Sequence, residues 1–502
     1  MKYDAVIIGA GIAGLTCALQ LSRQGRKVLV LESQPVPGGF ATSFRRNGFT
    51  FESSVHCVDS LEPQGDLRKF LDEFGVSSNI EYIDLPSFSR IIYPRHDFVI
   101  TGIKDDLLRT LKEFFPAESD NFERLFHKIK RFENQFDWFV NSKMPEWLKT
   151  LLLPVACPLL VTASMSSLNK FVSRFVKDEP AAALVTDIWR FVGLPPAEAS
   201  ALYSLLVLRG YYFNKTCFIK GGFSKLFDAI IKQIKDNGSE VRFNSFVVKI
   251  NTSSGLKVNS VLTNKSEEFI TKSIISNANP IETLGVLVDN QEIRCFYIDR
   301  LNKLDKSISA VQVYLGLKSS ARSLGMTHHM YSVNTSYNHD LNFEQSIKGD
   351  YENCPVSFVD HAQIDPQLAP ENKGSLLIMI LDSYSNWKGL DKEAYKAKKE
   401  KVAKILISRA QKYLPGLADA VEVLEVATPL TMQRYGVSPD GAIYGFAQTP
   451  EQSGMNRLDQ TTKIKGLFLA GAWTRPGHGL HGCFVSGLEA ADLADSYIKR
   501  CL

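Results

Sequence analysis

The chain opens on an apolar run, YDAVII at 3–8, that carries no polar alternation and is rich in β-branched residues. Such a run predicts a short parallel strand covered on both faces. The pattern then changes to a helical period through Leu15, Ala18, Leu19 and Leu21, which Gly25 is placed to stop. A second apolar strand, KVLVLE, ends on Glu32. The far end of the chain repeats the theme: an apolar strand at 467–470 ends in Gly471, the loop TRPGHGLHG follows, and a helix from about Cys483 carries Val485, Leu488, Ala491 and Ala494 on its apolar side.

Between these ends the pattern divides. At 218–250, Ser224 is a candidate cap for a helix with Leu226, Phe227, Ile230 and Ile234 inside, Asn237-Gly238 ends it, and strands follow near Val241 and at 246–250. A hairpin-like segment then leads to the strand SIISNANP, 273–280. The expected class is therefore α/β, with a Rossmann-like nucleotide domain assembled from 1–70, 210–285 and 425–502. Residues 71–209 have helical periodicity and many aromatics and predict a lid or membrane-docking region. Residues 286–424 alternate strands with a helix near 393–413 and predict an α+β substrate domain.

Length changes this picture little, since 502 residues require two or three domain-sized units. A net charge of +4 argues against a nucleic-acid partner. The eight cysteines form no CxxC pair, so no zinc ribbon or thioredoxin-type site is expected, and Cys17 reads as a small core residue. The first residues lack the pattern of a secretory signal, so the expected location is cytoplasmic. No stretch reaches the 18–20 apolar residues that span a bilayer. The nearest, LLLPVACPLLVTASM at 151–165, is broken by Pro154 and Pro158. It suits either a buried segment or a shallow patch on a membrane surface. Trp147 and Lys149 before it, and Lys170, Arg174 and Lys177 after it, suit the second, with 151–153 and 159–161 as the apolar contact.

The chemistry lies in the glycines. Gly9-Ala10-Gly11-Ile12-Ala13-Gly14 stands between strand and helix. Gly9 allows the tight turn, Gly11 lets backbone approach a pyrophosphate, Gly14 allows close packing, and Glu32 suits a ribose hydroxyl. An acid there, rather than an arginine, disfavours a 2′-phosphate. A second pair, Gly38-Gly39, lets backbone pass a long extended cofactor at another point, which a nicotinamide enzyme does not require. The turn from Gly471 to Gly482 aims a helix N-terminus at an electron-rich group. It lacks a following ribose acid, so it closes on the same cofactor, at the flavin end. FAD is the cofactor expected.

These pieces, in this order, resemble the phytoene desaturase superfamily with its carotenoid isomerases and retinol saturases. The likeness runs over the whole chain. It is carried by PGGFATSFRRNGFTFESSVHCV, FIKGGFSKLFDAI, SNANP, FVGLPPAEAS and TPLTMQRYGVSPDGAIYG. The resemblance implies a two-glycine-motif FAD domain over a substrate domain, often docked on a membrane, with backbone at Val247 or Val248 meeting the adenine. It also implies action on a long apolar polyene, such as a carotenoid, retinoid or related isoprenoid lipid, by desaturation, saturation or isomerisation. Phe40 replaces the arginine that stricter desaturases carry after the glycine pair, and His56 resembles a histidine of saturase-like members, so the expectation moves away from plain phytoene desaturation. Two other readings stand beside it: an amine oxidase-type enzyme with an aromatic cage from Trp473 and Tyr444, and a non-catalytic prenyl-binding escort of the same fold. The catalytic candidates are His56, His478 and His481, since histidine exchanges protons near neutral pH. Arg475 is placed to balance a reduced flavin or to pair with a carboxylate. Arg45-Arg46 reads as a solvated pair and His328-His329 as exposed. No metal-ligand cluster is expected.

Overall fold

The computed structural model describes residues 2–253 and 256–501. Two seven-stranded sheets organise it. In the first, Lys2–Ile8 runs parallel to Val28–Leu31 on one side and to Glu268–Ser276 on the other. Leu467–Leu469 joins Glu268–Ser276 in parallel, with Ile274 opposite Leu467, and Glu240–Arg242 extends the other edge beside Val28–Leu31. The antiparallel strands Val247–Ser253 and Lys257–Thr263 complete this sheet.

The unbroken apolar run of the opening strand has a simple cause. Ala5, Ile7, Val28 and Val30 pack into the helical core, while Val6, Ile8, Leu29 and Leu31 pack into a separate core on the other face. Both faces are covered, so no position needs to be polar. The helices Ile12–Arg23, Phe223–Asp236 and Leu480–Arg500 cover the first face. A Cβ on Gly487 would lie 2.4 Å from the Ala13 carbonyl oxygen, which is why the closing helix can approach the first one so nearly. Cys17 is fully buried there, as a small core residue should be.

Two local expectations change. Helix Phe223–Asp236 is capped by Gly222, whose φ is +92°, and not by Ser224. The Ser224 hydroxyl instead accepts the Ser43 N–H at 3.1 Å, tying the mid-chain glycine pair to the strand after Gly38-Gly39. The stretch 71–209 is not wholly helical. Ser89–Ile92 and Asp97–Ile100 form a hairpin that enters the second sheet through a parallel pairing with Met330–Val333.

That second sheet runs Val421–Ala427, Ser309–Leu317, Gly374–Asp382, Val356–Val359, Met330–Val333, then the hairpin. Val311, Val313, Leu315 and Ile378 pack beneath helix Lys392–Ala410, sharing a core with Val402 and Leu406. The alternate positions Ala310, Gln312 and Met379 face a large cavity. Helices Ser119–Asn141, Glu146–Ala156, Pro158–Ser164 and Ala201–Leu208 contribute the rest of its wall. His329, expected to be exposed, is 3% exposed: it enters strand Met330–Val333, and its carbonyl accepts the Asp360 N–H at 2.7 Å.

Candidate active site

The cavity is continuous, about 1740 Å³, and larger than the 300–1,000 Å³ typical of a single small-molecule site. At one end its wall is backbone. Gly9, with φ +97°, turns the chain out of the first strand, and a Cβ on Gly14 would lie 2.2 Å from the Gly9 carbonyl oxygen. Gly11 and Gly39 face each other, a Cβ on Gly39 coming 3.8 Å from the Gly11 Cα. Helices Ile12–Arg23 and Leu480–Arg500 both begin at glycine caps, Gly11 and Gly479, that offer no side-chain acceptor to their first N–H groups. Both caps line the cavity, and a Cβ on Gly479 would meet nothing within 4 Å. Two glycine-capped helix N-termini open on this glycine-lined space, an arrangement that suits an anionic dinucleotide and an electron-rich ring.

Glu32, expected to meet a ribose, is 7% exposed and lies on the cavity wall. Its two oxygens accept the Ala10 and Gln34 N–H groups, each at 2.7 Å. The carboxylate therefore fixes the glycine turn at Ala10. Val247 lines the cavity beside Ser245 and Phe246, whereas Val248 points away and is 40% exposed. Side-chain alternation along the strand puts Val247, and not Val248, on the cavity wall.

Asn277, in SNANP, is the central residue that pattern reading missed. Its Oδ1 accepts the Gly14 N–H at 3.1 Å and its Nδ2 donates to the Ala470 carbonyl at 3.2 Å. One side chain thus joins the opening and closing glycine turns. A Cβ on Gly471 would lie 2.4 Å from Asn277 Nδ2, and one on Gly482 would lie 2.9 Å from the Gly477 carbonyl oxygen. These two glycines serve close packing of the closing turn. The only sequence signal for Asn277 was a polar residue at the end of an apolar strand, a position that turns also favour.

The three histidines differ in environment. His478 is 6% exposed, donates from Nε2 to the Phe191 carbonyl at 2.8 Å and stacks on Tyr444 at 4.2 Å. Burial pushes it down to about 3, so it stays neutral and holds the closing loop in place. His56 is also buried and pushed down to about 4 by desolvation, with Nδ1 3.3 Å from Nε2 of His361, itself held well below the ordinary imidazole range by burial. His481 is different. Its Nδ1 lies 3.5 Å from the Ser60 hydroxyl and 3.8 Å from Asp59 Oδ2 on the cavity wall, and its side chain is 31% exposed. The structure does not bring the three together as one group; His481 alone combines exposure with a carboxylate neighbour. Arg475 pairs with Asp459. Arg45 and Arg46 are exposed, Arg46 pairing with Glu425 at 3.0 Å. Among the described residues no group of three or more His, Cys, Asp or Glu is placed to hold a metal.

A parallel sheet with glycine turns at both helix starts, an acid at the ribose position and a second glycine pair defines an FAD-dependent oxidoreductase. The chain belongs to the family described as flavin containing amine oxidoreductase, whose model matches residues 12–494. It is similar to prolycopene isomerase of Daucus carota, 27% identical over 98% of this chain and 79% of the relative. It is likewise similar to all-trans-retinol 13,14-reductase of Danio rerio, at 26% identity over 93% and 82%. The neurosporene-forming phytoene desaturase of Rhodobacter capsulatus is 26% identical over 97% and 93%. In fold the chain matches cyclohexylamine oxidase of Brevibacterium oxydans, with a TM-score of 0.64, 16% identity and 99% coverage of both chains.

Proposed function

We propose that this enzyme acts on the double bonds of a long apolar polyene, by desaturation, saturation or cis–trans isomerisation, and takes that substrate from a membrane surface. One observation carries the reading: the glycine-walled cofactor end and an apolar end form a single cavity, and the apolar end reaches an exposed apolar face. Phe136, Phe139, Leu153 and Leu160 line that end, with Val140 and Met165 at its rim. Bound FAD supplies hydride exchange at its flavin N5. The chain's own part is to exclude water, to hold the polyene and to fix the closing loop through His478. Apolar walls suit a substrate that offers almost no polar handles. The named activities of the relatives, each on a carotenoid or a retinoid, agree with this.

The amine oxidase-type reading fits less well. Tyr444 and Trp473 both line the cavity, but His478 covers a face of Tyr444, and Trp473 packs edge-on against Phe446 at 4.9 Å. The two rings are committed to their neighbours and do not form an open cage.

The exposed face of the 147–165 segment differs in detail from the sequence expectation. Helices Glu146–Ala156 and Pro158–Ser164 meet at a bend of 95° across 147–164, and no single helix is long and apolar enough to cross a membrane among the described residues. Trp147 is 69% exposed, Leu151 67%, Val155 83% and Met165 76%. Leu160 is buried and Lys149 is only 7% exposed, close to the Phe139 ring, so neither belongs to the outer face. Anaerobic incubation of the holoenzyme with a panel of polyenes tests the function. Products with changed double bonds support it, and turnover of small amines alone would contradict it.

A further inference from the structure

Near Phe136, Phe139 and Val140 the cavity wall carries a charged pair. Arg209 grips Asp137 with two nitrogens, NH1 to Oδ1 at 2.7 Å and NH2 to Oδ2 at 3.3 Å. Both residues line the cavity, among Phe136, Phe139 and Val140. Asp137 comes from helix Ser119–Asn141, and Arg209 opens a short π-helical turn, Arg209–Phe213, at the end of helix Ala201–Leu208. A π-turn is a costly local geometry that tends to mark functional positions. Here it places Arg209 and Gly210 on the wall. A Cβ on Gly210 would lie 2.5 Å from Asp59 Oδ2, so Asp59 packs directly on the turn. Asp59 in turn neighbours His481 on the closing helix. Asp59 thus connects the turn that carries Arg209 to His481 on the closing helix.

The pair is partly solvated, with Arg209 33% and Asp137 46% exposed in their side chains. It keeps hydrogen-bonding capacity, because a guanidinium has five donors and a carboxylate about four acceptor sites. It thus presents a donor and an acceptor side by side, which is the complement of a hydroxyl group. A hydrocarbon end would cover the pair and return no hydrogen bond. A carboxylate end has no proton to give to Asp137 and would meet the acids Asp59, Glu62 and Asp66, which also line the cavity.

Building on the polyene reading above, we infer that the Arg209–Asp137 pair reads the end group of the substrate and selects a polyene with a terminal hydroxyl over a bare hydrocarbon or a carboxylate. The polyene chain lies in the apolar cavity while its hydroxyl stays at the mouth. Arg209 donates a hydrogen bond to the hydroxyl oxygen, and the hydroxyl O–H donates one to an Asp137 carboxylate oxygen.

The test uses three probes with one chain and three ends: all-trans-retinol, its methyl ether and all-trans-retinoic acid. Their binding to the FAD-loaded protein is titrated by ligand fluorescence, with flavin content and melting temperature recorded for every variant. Retinol is expected to bind at least about tenfold more tightly than either analogue, the scale of one hydrogen bond to a charged group. Arg209→Gln and Asp137→Asn should remove this preference while the methyl ether binds unchanged. If wild-type protein binds all three equally, or prefers the acid, the end-group inference is wrong although the polyene reading survives. If none of the three binds, nor any longer polyene, both fall. Should the single variants lose flavin or unfold, the exchanged pair Arg209→Asp with Asp137→Arg preserves the latch between the two helices. Retained preference for retinol in that variant supports the inference, and its loss from a folded, flavin-loaded protein overturns it.

Discussion

At the nucleotide end of the cavity the wall is made of backbone, while at the mouth it is made of side chains. Gly9, Gly11, Gly39 and Gly479 bring main chain to the cavity surface, and a single side chain, Asn277, ties the two turns together. Around 136–165 there is no comparable glycine cluster; leucine, phenylalanine and methionine do the lining, and the outermost apolar residues face away from the protein. The contrast teaches where each end is vulnerable. Backbone surfaces fail when a Cβ is added, whereas side-chain surfaces fail when apolar area is removed.

The largest effect is expected from Gly11→Val. Its Cβ would already lie 2.7 Å from Asn277 Oδ1, and the branched side chain would occupy the space left for a pyrophosphate. The variant should purify without flavin. A yellow protein with full flavin content would mean that the opening turn is not the binding site.

How much of this was legible in the sequence follows the same divide. Glycine turns between apolar runs have a spacing that the chemistry dictates, so Gly9, Gly11, Gly14 and Glu32 stood out. The hairpin Ser89–Ile92 and Asp97–Ile100 did not, because its partner strand Met330–Val333 lies more than 200 residues on and no local pattern announces such a pairing. The valine facing the cavity could not be chosen either, since strand phase depends on which face the sheet covers. Within 147–165 the sequence did not tell which residues lie on the exposed face. Leu160 and Lys149 turn inward, Lys149 on the first helix and Leu160 on the second, beyond the 95° bend.

At the mouth, the sharper test is to replace Trp147, Leu151 and Val155 together with serine. All three are well exposed, so the fold should hold. Each gives up about 1.5–3 kcal/mol of burial in lipid, so liposome binding should disappear while flavin content stays constant. Retained co-sedimentation would move the contact elsewhere.

Glu52 joins the strand after the second glycine pair to the mid-chain glycine pair. It is 1% exposed, takes the Ser43 hydroxyl at 2.9 Å and lies below Gly222, and burial pushes its carboxyl up to about 8 from an ordinary 4.5. A raised carboxyl binds its proton more tightly in the folded state. Its contribution is therefore complete below about 4.5 and is lost as pH rises toward 8. The loss should be on the order of 4 kcal/mol, and Glu52→Gln should flatten the slope of stability against pH in that window. Denaturant titration at pH 5 and pH 8 measures it; identical slopes for both proteins would contradict the assignment.

A smaller effect is expected at Glu32. Glu32→Ala strands the Ala10 and Gln34 N–H groups as well as a ribose hydroxyl, and should weaken FAD binding by about 1–3 kcal/mol. Fluorescence titration of flavin onto apoprotein reads this directly, and an unchanged affinity would remove Glu32 from the site.

The central claim is that one cavity holds both FAD and a polyene. Its most direct test is product analysis after anaerobic incubation of the holoenzyme with long polyene lipids, once with oxidised and once with pre-reduced flavin. The account predicts products with altered double bonds in at least one of the two arms, lost when flavin is removed and restored when it is returned. Unchanged polyenes in both arms, together with bleaching of the flavin by small amines, would contradict it.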